Sequence, residues 1–157
     1  MDLSVRPDNY KQIDNVLSRS AQPNRENYIW LQKNGITDVI SFRTRFHRDK
    51  HFNEEKIAKE FKIKYHNIPS ISRAPSNENV GKFLDIVENV KLKNGKVLMH
   101  CKQGADRTGM YAFIYETLNS IGTEGSRIIE LFQHGYHYKL YPNLIDQALG
   151  FIKLFKR

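Results

Sequence analysis

One stretch of the sequence decides the fold: Val97-Leu98-Met99-His100-Cys101-Lys102-Gln103-Gly104-Ala105-Asp106-Arg107-Thr108-Gly109. Residues 97–99 are apolar without alternation, which is the pattern of a central strand covered on both faces. A short loop containing a glycine follows, and a helix is predicted over residues 108–118. In open α/β sheets, ligands bind beyond the carboxyl ends of the strands. The stretch therefore predicts a buried strand, a ligand-binding loop and a helix in immediate succession.

The segments on either side of this stretch alternate between strand and helix patterns. Strands are predicted at residues 38–42, 62–68 and 96–100, which are short β-branched or aromatic runs. Helices are predicted at residues 23–34, 52–61, 108–118, 123–133 and 143–155, and a further helix is predicted to start at the capping residue Ser76. Strands interleaved with helices require crossover connections. We expect an α/β fold with a central, mainly parallel sheet of about four to five strands flanked by helices.

Length and composition are those of one folded domain. The chain has 157 residues, 39% of them hydrophobic, and it contains no repeat or low-complexity linker, so we expect a single domain over residues 1–157. Its one cysteine, Cys101, excludes an intrachain disulfide and a cysteine-based zinc site, and favours a reducing compartment. The sequence contains neither a long apolar run nor a signal-peptide core. We expect a cytoplasmic protein, with export by a route independent of a signal peptide left open.

The net charge points to anionic partners. There are 25 Lys and Arg residues against 17 Asp and Glu residues, which gives +8. Such a surface field favours phosphates, anionic membranes or nucleic acid, although lysines that merely solvate the surface are the alternative. No helix-turn-helix, zinc-finger or RNA-binding aromatic motif is present, so we do not expect nucleic-acid binding. We expect a monomer without a transmembrane segment, and peripheral contact with an anionic membrane is left open.

The loop from Cys101 to Arg107 has the features of a phosphate site. Backbone N–H groups over a helix N-terminus, together with the helix dipole, attract an anion and stabilise a thiolate at Cys101. Gly104 allows backbone geometry that a larger residue resists, and the planar guanidinium of Arg107 can bind two phosphate oxygens at once. The Thr108 hydroxyl can donate a hydrogen bond to the sulfur. The alternative interpretation is that Cys101 is a buried structural cysteine beside a helix cap.

These residues match a known signature, His-Cys-x5-Arg-Ser/Thr, through His100, Cys101, Arg107 and Thr108. The chain thus resembles the cysteine-dependent protein tyrosine and dual-specificity phosphatases. Residues 19–23 and 35–43 look like the N-terminal half of the small atypical dual-specificity phosphatases, and residues 15–155 follow the family's order of elements. The resemblance implies the phosphatase fold, phosphoester hydrolysis through a phosphocysteine intermediate, and no metal or other cofactor.

The resemblance also implies roles for individual residues. Cys101 attacks phosphorus, Arg107 and the loop N–H groups hold the phosphoryl oxygens, and Thr108 stabilises the thiolate. His100 tunes the loop and does not act as a base. The implied substrate is a phosphorylated protein or a phosphoinositide. Substrate-binding roles fall on the loop residues Lys102, Gln103, Gly104 and Ala105.

The chain departs from the family where a separate loop usually carries an aspartate general acid. The corresponding residues 68–76 include no carboxylate, and Glu78 and Asp85 fall in the helix that follows. Asp106 lies inside the signature, as in myotubularin-like lipid phosphatases, and is our candidate for proton transfer. Capping of the following helix is the alternative for Asp106. The missing acid also leaves open a phosphate-binding pseudophosphatase with weak or no turnover.

Two basic residues bear on the substrate. Lys102 matches the residue after the cysteine in phosphoinositide phosphatases of the tensin-homologue family, so a phosphoinositide phosphatase is the alternative function. Arg73 can reach the same substrate. For both residues, simple solvent exposure is the competing interpretation. Residues 133–142 are rich in His and Tyr, but their spacing argues against zinc and favours a packed turn before the last helix.

Overall fold

The centre of the fold is a sheet of five strands, in a computed structural model that describes residues 4–44, 52–71 and 76–156. The strands are β1 (Lys11–Gln12), β2 (Leu17–Ser20), β3 (Asp38–Ser41), β4 (Lys64–Asn67) and β5 (Val97–His100). Their spatial order is β1-β2-β5-β3-β4, with β1 antiparallel to β2 and all other pairings parallel. The prediction of a mainly parallel sheet of four to five strands is confirmed.

Helices cover both faces of this sheet. They are α1 (Arg25–Lys33), α2 (Glu54–Glu60), α3 (Asn77–Leu92), α4 (Asp106–Leu118), α5 (Glu124–Gln133) and α6 (Leu144–Phe155). Buried side chains of α1 and α2 share a small core with the sheet, whereas α3 to α6 contribute to a larger one. The layers are therefore helix, sheet and helix, as crossover connections require. No helix in the described ranges is long and apolar enough to cross a membrane.

The pleat of β5 divides its side chains between the two cores. Val97 and Met99 belong to the larger core and Leu98 to the smaller, and all three are fully buried. Successive side chains of a strand point to opposite faces, so an unbroken apolar run is what a doubly covered strand needs. The predicted central position of this strand is confirmed.

The strand register sets the place of the loop that follows β5. His100 pairs with Ser20 of β2 on one side and with Ser41 of β3 on the other. All three strands thus end at one edge of the sheet. The segments that follow them, which carry Gln22, Arg43 and Cys101, consequently lie side by side.

Local capping explains where the helices begin. Asn24 caps α1 and Thr123 caps α5, each in a reciprocal capping box, and the Ser76 hydroxyl accepts from the N–H of Asn79 at the start of α3. A capping residue is itself outside the helix. The predicted helices accordingly exist, and most observed bounds lie one or two residues inside the predicted ones.

Strands β1 and β2 correspond to none of the three segments that the sequence predicts as strands. The four residues of β2 are all buried, yet three of them, Ser18, Arg19 and Ser20, are polar. Arg19 is fully buried because its guanidinium donates to the carboxylate of Glu130 at 3.1 Å. A polar segment gives no apolar run for a strand prediction to detect, and only its distant partner makes its burial favourable.

Candidate active site

The loop after β5 is shaped by Gly104. Cys101 follows the last strand residue and is 3% exposed, and α4 begins at Asp106, two residues earlier than predicted. Gly104 has φ +74°, and a Cβ atom built there would lie 2.5 Å from the carbonyl oxygen of Ser20. Both the left-handed backbone and the close approach require glycine. The predicted strand, loop and helix are therefore joined by a tight turn packed against the end of β2.

The carbonyl groups of three consecutive loop residues are tied to the scaffold. They accept from Gln22 N–H (to Lys102 O, 3.0 Å), Asn9 Nδ2 (to Gln103 O, 3.1 Å) and Arg19 Nη2 (to Gly104 O, 2.8 Å). Within the described ranges, no backbone N–H of residues 102–107 has a hydrogen-bond partner. Strong donors left without partners beside a helix N-terminus form an anion site.

Arg107 is anchored at the mouth of this loop. Its Nη1 donates to the carbonyl oxygens of Phe42 at 3.3 Å and Ser70 at 3.4 Å. These carbonyls lie just beyond β3 and β4, so Arg107 spans the carboxyl edge of the sheet. A partly buried guanidinium with two long hydrogen bonds retains donors for a phosphoryl group.

A second arginine, Arg43, lies beside Arg107. It is 8% exposed, its Nη1 donates to the side chain of Gln22 at 2.9 Å, and its Nε is buried without a partner among the described residues. Burial and the charge of Arg107 lower the pKa of Arg43, and charge interactions with Glu54 and Cys101 oppose this shift. The two guanidiniums make the surroundings of Cys101 electropositive.

Thr108 is buried in the first turn of α4. Its Oγ1 has no hydrogen-bond partner in the described part of the chain. The predicted hydrogen bond to the cysteine sulfur is therefore not formed in this structure. The hydroxyl remains available as a donor in the wall of the site.

His100 connects the loop to the distant helix α2. Its Nδ1 lies 3.1 Å from the carbonyl oxygen of Cys101, and its Nε2 lies 2.7 Å from Oε2 of Glu54. The Glu54 carboxylate also accepts from Tyr28 Oη at 2.6 Å and from Gln22 Nε2 at 3.1 Å. The predicted role of His100 as a residue that tunes the loop agrees with these contacts.

The Glu54 carboxylate is stabilised in its ionised form. Burial alone would raise the pKa of Glu54, but the charge of His100 and the hydrogen bonds from His100, Tyr28 and Gln22 lower it below the ordinary value. Both ring nitrogens of His100 consequently face acceptors. Sequence reasoning missed Glu54, because nothing in a charged helix 46 residues before His100 marks it as buried.

Asp106 accepts two hydrogen bonds from one residue on another segment. Its Oδ1 accepts from the backbone N–H of His137 and its Oδ2 lies against His137 Nδ1, both at 2.7 Å. The N-cap of α4 is Ala105, which has no side-chain cap, so the interpretation of Asp106 as the capping residue is wrong. The carboxylate is instead held by the turn after α5.

This turn was singled out in the sequence only for its His and Tyr content. The predicted turn before the last helix is present: Tyr136 is buried, the N–H groups of Leu140 and Tyr141 donate to the carbonyl of His137, and most of the other residues in the segment are exposed. The contact between His137 and Asp106 was missed. The abundance of His and Tyr was the available sign, but only the tertiary structure shows which of these residues reaches the loop.

A buried charged cluster supports the loop from below. Arg19 donates to Glu130, which also pairs with Lys11, and Glu116 lies against Glu130. Burial and the neighbouring Glu130 raise the pKa of Glu116 to about 8. The two carboxyl groups therefore share a proton at neutral pH. Arg19 is the link between this pair and the Gly104 carbonyl.

The remaining predicted residues take different places. Lys102 and Gln103 are exposed at the rim, whereas Gly104 and Ala105 are buried and offer only backbone groups. Arg73 lies outside the described residues. Glu78 is exposed and paired with Lys82. In the described ranges, no three His, Cys, Asp or Glu side chains are grouped as a metal ion would require.

Comparison with known proteins was made on sequence and on structure. The dual specificity protein phosphatase TpbA of Pseudomonas aeruginosa is 27% identical over 127 residues, which are 81% of this chain and 54% of TpbA. The chain thus spans about half the length of this curated relative.

Three solved structures have the same fold as this chain. The P. aeruginosa TpbA structure matches with a TM-score of 0.74 and 22% identity over 90% of this chain and 84% of that one. A putative phosphatase from Shewanella putrefaciens CN-32 matches with a TM-score of 0.80 and 20% identity, covering 97% and 94% of the two chains. The catalytic domain of the PP-IP phosphatase Siw14 from S. cerevisiae matches with 0.74 and 18%, covering 97% and 88%. The predicted phosphatase fold is confirmed.

The family is shown by the sequence itself. Residues 3–126 match the model of the family called DSP-PTPase phosphatase fused to NAD+ kinase, and this match includes the whole loop from Cys101 to Arg107 and helix α4. More than half of the chain lies within the match. The chain therefore belongs to this family of dual-specificity phosphatase domains.

Proposed function

We propose that this chain is a phosphoric monoester hydrolase of the dual-specificity type, working through a phosphocysteine at Cys101. One observation carries the proposal. The loop after Cys101 has three carbonyl groups tied to the scaffold, and the backbone N–H groups of residues 102–107 are left without partners in the described structure. Such a loop binds a phosphoryl group directly in front of the only cysteine.

The reaction follows from the charges around the loop. The Cys101 thiolate attacks phosphorus, so the S–P bond forms while the bond from phosphorus to the leaving oxygen breaks. Arg107 and the loop N–H groups stabilise the charge on the three remaining phosphoryl oxygens. Water then attacks phosphorus, the S–P bond breaks, and inorganic phosphate leaves. We assign Thr108 to stabilising the departing thiolate, because its buried hydroxyl is not otherwise engaged among the described residues.

The leaving oxygen needs a proton, for which Asp106 is our candidate. It is the first residue of α4 and directly precedes Arg107, so it is next to the phosphoryl site without any loop closure. Glu78 and Asp85 are exposed on α3 and are not candidates. The acid therefore lies inside the phosphate loop.

The substrate class is a phosphorylated protein or lipid. A structure of a TpbA variant contains pTyr, which supports a phosphotyrosine substrate for this chain. A phosphoinositide is the second candidate, favoured by the exposed Lys102 directly after the nucleophile. We assign Lys102 and Gln103 to the rim that contacts the rest of either substrate, and Arg73 to the same task on the sequence pattern alone.

The same reasoning extends to the setting of the protein. We infer a cytoplasmic phosphatase domain, because a lone reactive cysteine is best preserved in a reducing compartment, and we keep the expectation of a monomer. The charge of +8 supports substrates that are themselves anionic.

The test uses the wild type and the variants Cys101→Ser and Asp106→Asn. Phosphate release is measured from an aryl phosphate with a good leaving group and from a phosphoinositide. We expect Cys101→Ser to lose at least about a thousandfold in kcat while still binding phosphate or vanadate, because the loop donors are intact. Asp106→Asn is expected to lose most on the substrate with the poorer leaving group.

The wild type decides between the alternatives. Turnover of the aryl phosphate that Cys101→Ser abolishes supports the proposal. If the wild type binds phosphate but releases none from either substrate, the chain is a phosphate-binding module and not an enzyme. Turnover that persists in Cys101→Ser would show that Cys101 is not the nucleophile.

A further inference from the structure

The turn after α5 is built to bring His137 to the phosphate loop. Gly135 has φ +97°, and a Cβ atom there would lie 3.7 Å from the Cβ of Ala105. The hydroxyl of buried Tyr136 donates to the carbonyl of Tyr141, which fixes the far side of the turn. This turn places His137 against the first residue of α4.

Both hydrogen bonds of this contact end on the same carboxylate. The backbone N–H of His137 donates to Oδ1 of Asp106, and Nδ1 of its ring meets Oδ2, each at 2.7 Å. The backbone N–H cannot take up a proton, so only the ring can exchange one with Asp106. The side chain of Asp106 is 13% exposed and that of His137 is 42% exposed, so the ring is also the member of the pair that meets solvent.

We propose that His137 is the positioning residue and proton reservoir of Asp106. This inference rests on the proposed phosphatase function and deepens it. The backbone N–H fixes the direction of the carboxylate, and the solvent-exposed ring supplies the proton that Asp106 passes to the leaving oxygen.

The proton can be followed through both half-reactions. As the S–P bond forms, the leaving oxygen takes a proton from Asp106, and Asp106 takes the Nδ1 proton of the imidazolium, which becomes neutral imidazole. When water attacks the phosphocysteine, its proton returns through Asp106 to Nδ1 and the S–P bond breaks. The sum is monoester plus water giving alcohol plus phosphate, with the His137–Asp106 pair restored.

The charges around the pair come from three elements. Arg107 follows Asp106 on α4, Tyr136 and Tyr138 flank His137 on the turn, and Asp146 lies on α6. Burial and the charge of Asp106, followed by those of Tyr138 and Asp146, raise the pKa of Tyr136. Tyr136 therefore stays neutral at physiological pH.

The test compares His137→Asn and His137→Gln with the wild type on an alkyl phosphate and on an aryl phosphate with a good leaving group. The side-chain amide can donate to Asp106 but cannot titrate. We expect kcat to fall about ten- to a hundredfold on the alkyl phosphate and distinctly less on the aryl phosphate. We also expect the fall of kcat with rising pH to lose its wild-type midpoint.

The matched control is His66→Asn. His66 lies 2.8 Å from Asp38, which opens β3 at the opposite end of that strand from the loop, and both side chains are about as buried as Asp106. This variant removes a histidine from an aspartate pair without touching the site. Its pH profile and its ratio of alkyl to aryl turnover are expected to equal those of the wild type.

Three further outcomes separate this inference from the proposed function. Equal losses on both substrates with the wild-type pH profile would show a merely structural contact and overturn the proton role. An NMR titration of the His137 ring that Asp106→Asn leaves unchanged would overturn the pairing, whether or not the protein has activity. A wild type that hydrolyses neither substrate overturns the proposed function, and this inference falls with it.

Discussion

Gly104 shows how a single residue controls the shape of the loop after Cys101. Its φ of +74° is strained for any side chain, and the space where a Cβ would lie is occupied by the backbone of Ser20 and Ala21 at 2.5 to 2.7 Å. Backbone atoms of a buried strand end cannot move aside as a flexible side chain can. The carbonyl of Gly104 also carries the hydrogen bond from Arg19. Any side chain at this position must therefore displace the loop.

Gly104→Ala is predicted to damage both stability and activity. The strained backbone alone costs about 1–3 kcal/mol, which corresponds to a fall in melting temperature of several degrees for a chain of this size. Displaced N–H groups should lower kcat/KM at least about tenfold, because small misplacements of binding groups are costly. Thermal unfolding and phosphate release measure the two effects.

Gly150→Ala is the control for this substitution. Gly150 is exposed within α6 and has nothing within 4 Å of a built Cβ. Alanine there should be neutral or stabilising by up to about 1 kcal/mol. Equal stability and activity in both variants would refute the close approach at Gly104.

At the scale of elements, helices α4 and α5 meet through a pair of buried carboxyl groups. Glu116 and Glu130 are each 4% exposed, and Glu130 is held by Arg19 and Lys11. Burial and Glu130 raise the pKa of Glu116 to about 8. Burial opposes ionisation of Glu130 too, but its hydrogen bonds with Glu116 and Lys11 and the charge of Arg19 keep its pKa below the ordinary value. The helix contact thus depends on one proton held by Glu116.

Glu116→Gln is predicted to become more stable than the wild type as pH rises. The folded wild type keeps the Glu116 proton up to about pH 8, whereas the unfolded chain releases it above about pH 4.5. Wild-type stability therefore falls through this window, and glutamine, which mimics the protonated acid, avoids the loss. The gain should reach a few kcal/mol above about pH 8, since one pKa unit corresponds to about 1.4 kcal/mol.

Chemical denaturation across this pH window measures the effect. Glu124→Gln, at an exposed position of α5, is the control and should differ from the wild type equally at every pH. A stability difference for Glu116→Gln that is independent of pH would contradict the conclusion that Glu116 and Glu130 share a proton. Above about pH 8 the difference should become constant, because Glu116 is then ionised in both states.

The whole molecule carries a charge of +8, and the surroundings of Cys101 are themselves electropositive through Arg43, Arg107 and the exposed Lys102. Fields from exposed charges reach about 10 Å at 0.1 M salt and shrink as salt is added. Attraction of an anionic substrate to the mouth of the site is therefore a property of the whole surface. Salt screens electrostatic interactions inside the partly buried loop much less.

Added salt is predicted to raise KM several-fold while kcat changes by less than about twofold. The measurement is phosphate release from an aryl phosphate in increasing KCl, with an uncharged solute of equal osmolality as the reference. Lys102→Gln should reduce the salt dependence of KM. Lys153→Gln, exposed on α6, should leave it unchanged, and equal slopes in all three proteins would argue against steering towards the loop.

The sequence by itself determined the order of strand, loop and helix around Cys101 and the positions of most helices, and it predicts Cys101 and Arg107 as the reactive pair. These features depend on neighbours close along the chain. Ser76 and Thr123 cap helices through residues three positions away, and the apolar run 97–99 marks a buried strand wherever its partners lie.

The tertiary structure alone decided how the loop is held. Strand β2 is polar and is buried only because Arg19 reaches Glu130 and the Gly104 carbonyl. Glu54 reaches His100 from 46 residues away, and His137 reaches Asp106 from 31 residues away. Local periodicity shows which face of an element is apolar, but it does not show which distant group forms a hydrogen bond with a buried polar side chain. A sequence therefore predicts that a polar side chain is solvent-exposed until its distant partner is known.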